Sequence, residues 1–225
     1  MNSKIVCSSM LLIVWALLCV SSVLYAQNYD IILKGGHLID PKNKINQKMD
    51  VAISQGKIIR VASNIPPTSA KKVIDVSGLY VAPGLIDIHV HVFAGTNKEQ
   101  LTMDGPNSLP PDGFTLKNGV TTVVDAGSSG WRSFPLFKKN IIDQSITRVL
   151  AFLNIVGDGM GLNEQDSTDM SPTMAARFAE YYKDDIVGFK VAHYNGLQSI
   201  PVDSAVMAGK LSNRPVMIDW RGLPP

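Results

Sequence analysis

The chain has 225 residues, of which 45% are hydrophobic and 18% charged, with a formal net charge of +2. That is enough apolar material to build the core of one or two globular domains, and it excludes a disordered chain. The absence of any basic run excludes a nucleic-acid surface and an electrostatic membrane patch, which leaves small molecules as the expected partners.

The first 26 residues stand apart from the rest. Lys4 gives a short positive start, Ile5 to Val20 is almost unbroken apolar sequence, and Ser21-Ser22-Val23-Leu24-Tyr25-Ala26 relaxes toward a cleavage region before Gln27. This pattern predicts a signal peptide over 1–26 and an exported, periplasmic or secreted, protein. The alternative is an uncleaved N-terminal membrane anchor, since about 20 apolar residues suffice to span a bilayer. Both cysteines, Cys7 and Cys19, fall in this segment. The mature chain would then have no disulfide and no thiolate to offer a metal.

Residues 27–82 read as a small β-rich domain of short strands and tight turns. Tyr29 to Lys34 is an apolar strand ending at Gly35-Gly36, and Asp50 to Ser54 turns through Gln55-Gly56 into Lys57 to Ala62 as a hairpin. His37 has no chelating neighbour in sequence and reads as an exposed residue flanking a turn.

From residue 83 to 225 the rhythm changes to apolar strands separated by longer, partly helical segments. Strands are expected over Leu85–His91, Gly119–Asp125, Arg148–Val156, Ile186–Val191 and Pro215–Asp219, with an amphipathic helix over Met174–Lys183. Buried parallel strands alternating with helices imply an α/β barrel or an open sheet. Ala94 to Lys117 is too long for an ordinary connection and suits a loop over an active-site mouth. The first strand is the most informative. Val-Ala-Pro-Gly-Leu-Ile-Asp-Ile-His-Val-His, Val81 to His91, places His89 and His91 two apart, on one face of a strand, where one divalent cation can accept both imidazoles. Lys190, in the apolar run Ile186-Val-Gly-Phe-Lys-Val191, must snorkel outward, pair with an acid, lose its proton or be chemically altered. A lysine carbamate would bridge two metal ions about 3.5 to 4 Å apart, the spacing used by two-metal hydrolases.

Four segments carry a family resemblance: Ile32-Leu-Lys-Gly-Gly-His-Leu-Ile-Asp-Pro41, Val81 to His91, Gly119-Val-Thr-Thr-Val-Val-Asp-Ala-Gly127 and Ile186 to Val191. The chain resembles the amidohydrolase superfamily, specifically its dihydroorotase-like amidohydrolase/deacetylase branch. The resemblance implies an α/β fold, a (β/α)8 TIM-like barrel beside a small β-sandwich. It also implies two zinc ions, with His89 and His91 as first-strand ligands and Lys190 as the carboxylated, bridging lysine of the fourth strand. Where the family commonly has a fifth-strand histidine, this chain reads Pro215-Val-Met-Ile-Asp219-Trp220, so Asp219 stands at the ligand position, where it either binds the metal or serves a structural or supporting role. A barrel alone usually needs about 250 residues, so a partial barrel of about five strands is expected here, and the family's sixth-strand histidine and eighth-strand aspartate are not among these 225 residues.

The implied chemistry is hydrolysis of an amide, cyclic amide or N-/O-acyl bond by metal-activated hydroxide, with Lys190 and Asp219 as the catalytic residues on this chain. The implied partner is a small molecule with a hydrolysable carbonyl, and self-association into a homo-oligomer is left open. Asp125 reads as a helix cap or a residue that supports ligands, and His193, in a loop three residues after Lys190, as an exposed loop histidine or a substrate contact. The polar loop from Gly157 to Thr173 lines the expected mouth without naming a ligand. The competing reading is an inactive truncated homologue, or a remnant that binds a metal or small molecule.

Overall fold

The computed structural model describes residues 28–95 and 108–219, and the chain divides into one unit ending at Pro83 and a second beginning at Gly84. The expected signal peptide lies outside the described residues, as do residues 96–107 of the expected loop. Among the described residues no helix is long and apolar enough to cross a membrane.

The first unit is organised by its turns. Gln55 and Gly56 adopt φ of 50° and 71°, the two left-handed residues that a two-residue type I′ turn requires, and join β2 (Ile45–Ser54) to β3 (Lys57–Ala62) as an antiparallel hairpin. The preceding strand, β1 (Tyr29–Asp40), does not stop at the double glycine as its sequence suggests. It passes through a bulge between Leu33 and Gly36, with Gly35 at φ 78°. Asp50 on β2 pins that bulge by accepting hydrogen bonds from Lys34 Nζ at 2.6 Å and from the Gly35 and Ile65 amides at 2.8 Å each.

Two further strands, β4 (Ala70–Asp75) and β5 (Tyr80–Val81), run parallel to β1. They complete a single sheet of order β3-β2-β1-β4, with β5 also on β1. Its small core is Ile32, Ala52, Ile65 and Ala70. His37 therefore sits inside a strand rather than beside a turn, exposed, with Nε2 2.6 Å from Asn46 Oδ1 and its ring edge-on to Tyr80.

The second unit is a parallel sheet of β6 (Leu85–Val90), β7 (Val120–Ala126), β8 (Arg148–Asn154), β9 (Ile186–Ala192) and β10 (Val216–Asp219), in the spatial order β10-β9-β8-β7-β6. Each strand pairs with the next one in sequence. A doubly wound sheet reverses direction at a switch point, whereas unreversed order with one hand of crossover is how a barrel is wound. The five strands accordingly curl into a half-barrel.

The expected loop before β7 contains a short helix, α1 (Pro111–Phe114). After β7, α2 (Phe134–Phe137) runs into a π-helical turn at Lys138–Ile142. The helix expected from Met174 starts earlier, as α3 (Pro172–Tyr181), because Ser171 accepts from the Met174 amide and Pro172 fits the first helical position. A further helix, α4 (Ile200–Ser212), ends at Asn213 in the left-handed conformation. Arg214 then donates to Ile186 O and Ala179 O, tying the end of α3 to the start of β9.

The core of this unit joins Val123, Val149, Leu153 and Phe189 from the strands to Phe134, Phe137, Ala205 and Ala208 from the helices. β6 departs from the expected buried strand. Among the described residues it pairs only with β7, and Leu85, Ile86 and Ile88 are exposed.

Candidate metal centre

Parallel strands bring all their C-terminal ends to one rim, and the chemically interesting residues of the second unit gather there. His89 and His91 lie at the end of β6, Ser128 follows β7, Asn154 closes β8, Lys190 and His193 lie in and just beyond β9, and Asp219 closes β10.

The i, i+2 spacing does bring the two histidines together. Their rings lie edge to face with centroids 5.8 Å apart, His89 exposed and His91 partly buried. His91 is held from behind. The wholly buried Asp125 accepts from the Val92 amide at 2.8 Å and the Ser128 amide at 2.7 Å, joining the end of β6 to the turn after β7. Ser128 Oγ in turn lies 3.0 Å from His91 Nδ1, which leaves Nε2 as the nitrogen for a ligand. Burial pushes the Asp125 carboxyl up to about 6, against the pull of the Val92, Ser128 and Gly127 amides. Burial first, and then the neighbouring His89, Lys190 and His193, push His91 down to about 4, with Asp219 opposing. His91 is therefore neutral at neutral pH, as metal ligation requires.

Lys190 is completely buried, and its Nζ lies 4.0 Å from Asp219 Oδ2. Its stem runs against Gly127, where a Cβ would fall 2.7 Å from Lys190 Cγ and 2.8 Å from Lys190 Cβ. Gly127 is also at φ 88°, so glycine serves here both as a turn residue and as space for the lysine. Asn154 fastens this turn by donating to Gly127 O at 3.0 Å and to Glu164 Oε1 at 2.9 Å.

The fold also brings in Glu164, which the sequence does not single out, beside His193. His193 Nδ1 lies 3.0 Å from Oε2 of the buried Glu164, and its Nε2 lies 3.9 Å from Asp219 Oδ2. Glu164 belongs to a short 3-10 turn, Leu162–Gln165, in a loop whose residues named no ligand. The one sequence signal available was the closeness of His193 to Lys190, three positions earlier.

Among the described residues, no three side chains drawn from His, Cys, Asp and Glu gather closely enough to make a metal site by themselves. The donors that do converge are two histidines, a buried lysine and an aspartate. As a carbamate, lysine would bring two anionic oxygens to such a set. The room made by Gly127 and the neutral His91 fit that arrangement.

No family model matches the chain. It is 32% identical over 156 residues to a deacetylase of Agrobacterium fabrum, a match covering 67% of this chain and 36% of that protein. It is 49% identical over 101 residues to a dihydroorotase of Streptococcus pneumoniae, covering 42% of this chain and 24% of that protein. Among solved structures an adenine deaminase is similar with a TM-score of 0.72 at 29% identity, over 88% of this chain and 52% of that one. The chain thus spans about a third of the length of the deacetylase and about half that of the deaminase.

Proposed function

The chain belongs to the amidohydrolase superfamily, and from that premise we propose that it acts as a metal-dependent hydrolase of an amide, cyclic amide or N-/O-acyl bond. One arrangement carries the reading: a completely buried Lys190, given room by Gly127, lies 4.0 Å from Asp219 on the rim that also bears His89 and His91. An ammonium in such a place is costly to bury. Addition of carbon dioxide to the neutral amine forms an N–C bond, releases a proton and leaves an anionic carbamate suited to two cations.

His89, His91 and the Lys190 carbamate would hold one zinc ion, and the carbamate with Asp219 would hold a second. When bound, zinc polarises a substrate carbonyl and lowers the pKa of water. The chain's own residues position and exclude. Ser128 orients His91, Asp125 locks Ser128 against the end of β6, and Asn154 holds the Gly127 turn that seats Lys190. Asp219 places a carboxylate where it can accept a proton at the mouth of the site. The names of the relatives support the choice of bond, since a deacetylase and a dihydroorotase both match.

The test is metal content together with turnover. The purified full chain, grown with zinc, should contain the metal in stoichiometric amounts and hydrolyse members of a panel of N-acetyl amino acids and cyclic amides. A chelator, His91→Asn or Lys190→Ala should abolish both properties. Protein that stays metal-free under zinc supplementation and turns over nothing in the panel would end this reading. We also propose that residues 1–26 direct export, in which case protein recovered outside the cytoplasm begins at Gln27.

A further inference from the structure

We infer that His193 is a metal ligand, its Nε2 and the Asp219 carboxylate together taking the second divalent ion toward which Lys190 points. The inference rests on the binuclear reading above and extends it to a residue that neither the β6 histidines nor the lysine implies.

Three observations carry it. The first is the orientation of the ring. The buried Glu164 engages the ring at Nδ1, 3.0 Å from its Oε2, which turns Nε2 toward Asp219 and the rim of the site. Metal-ligating histidines characteristically donate their other N–H to a carboxylate or carbonyl in this way.

The second is distance. Zinc bonds to nitrogen and oxygen are about 2.0 to 2.2 Å each, so donors of one ion lie up to about 4 Å apart. His193 Nε2 and Asp219 Oδ2 are 3.9 Å apart, within that reach, and Lys190 Nζ, from which a carbamate would extend, lies 4.0 Å from the same Oδ2.

The third is how heavily the position is specified. His193 holds φ at 56°, in the left-handed region where a non-glycine residue is uncommon. Two consecutive residues of the Leu162–Gln165 turn keep it there. Glu164 takes the ring, while Gln165 Nε2 donates to His193 O at 2.6 Å and Gln165 Oε1 accepts from the Asn195 amide at 2.9 Å. Glu164 is itself fixed by Asn154. Backbone held in a sparsely populated region by several surrounding contacts is characteristic of ligand clamps.

The experiment is equilibrium dialysis of the full chain against zinc, with metal counted by mass spectrometry, and the visible spectrum of the cobalt-substituted protein as an independent readout. The wild type should hold two equivalents. His193→Asn should hold one under the same conditions and lose cobalt absorption belonging to the second site. Glu164→Gln should retain both equivalents at saturation but bind the second about 10- to 100-fold more weakly. Circular dichroism establishes that each variant is folded, and if His193→Asn is not, Glu164→Gln decides the matter alone. Unchanged stoichiometry, affinity and cobalt spectrum in the folded variant would overturn the role of His193 while leaving the hydrolase reading intact. A wild type that binds no metal would overturn both.

Discussion

At position 127 the absence of a side chain determines where Lys190 can lie. Gly127→Ala would drive a Cβ into the lysine stem while holding an L-residue at φ 88°, and overpacking of this kind costs about 1–3 kcal/mol before backbone strain is added. Urea denaturation should show that loss, and zinc content should fall with it; an alanine variant with wild-type stability and metal would contradict the seat proposed for Lys190. Asp125 and His91 make a second prediction because burial moves them in opposite senses. The folded pKa of Asp125, raised to about 6, means that its contribution to stability is full below the ordinary carboxylate value and is lost as pH rises through about 6, a swing of about 3 kcal/mol. The folded pKa of His91, lowered to about 4, means that its contribution is present above about 6.5 and is lost as pH falls through about 4. In metal-free protein the two oppose each other on acidification, so Asp125→Asn should lose stability more steeply between pH 6 and 4 than the wild type; parallel curves would refute the assignment. His89, His91 and Lys190 stand out in the sequence because their chemistry clashes with apolar strands. Glu164 and His193 do not, since they are 29 positions apart and only the half-barrel joins them.

Among the elements, those with ordinary periodicity were readable and those stabilised by unusual contacts were not. The Lys57–Ala62 strand and its hairpin follow from alternation and from Gln55-Gly56. β1 was expected to end at Gly35, because nothing in Lys34-Gly35-Gly36 reveals that Asp50 on the next strand will carry the chain through a bulge. α4 was missed because its buried face is Ala205, Ala208 and Gly209 while Met207 and Leu211 face outward, the reverse of an amphipathic pattern. The bulge can be tested through its acid. Burial pushes the Asp50 carboxyl up, but the Lys34 ammonium and the Ile65 and Gly35 amides outweigh burial and hold it below the usual carboxylate range. Its stabilising effect is therefore present above the ordinary carboxylate pKa and disappears as pH falls through the lower folded value. Asp50→Asn should destabilise the first unit by about 1.5–3 kcal/mol at neutral pH, the range for a charge-assisted hydrogen bond. The difference should shrink in acid, as followed by chemical denaturation; a gap that persists at low pH would rule out the ionic contribution.

For the molecule as a whole, a parallel α/β sheet and a small β-rich unit are legible in the change of rhythm near Pro83, the choice of barrel over open sheet follows from the family resemblance, and the exposure of β6 is not legible, because an apolar strand reads as buried. Among the described residues of the second unit β6 and β10 are the outer strands, and Leu85, Ile86 and Ile88 on the one and Ile218 on the other are exposed. Open strand edges with apolar side chains promote pairing between chains. Sedimentation velocity should therefore show concentration-dependent association that Ile86→Lys reduces, and a strictly monomeric wild type would argue against it. The unreversed strand order has a further consequence, for synthesis. Each strand of the second unit finds its partner in the strand made just before it, so a ribosome releases them in the order in which the sheet can grow. Among the described strands none must wait for a distant partner, and the sheet can lengthen one unit at a time while the chain is still emerging. The newest strand also always presents an open edge, so a pause in translation within this unit would leave it waiting for whichever strand arrives first.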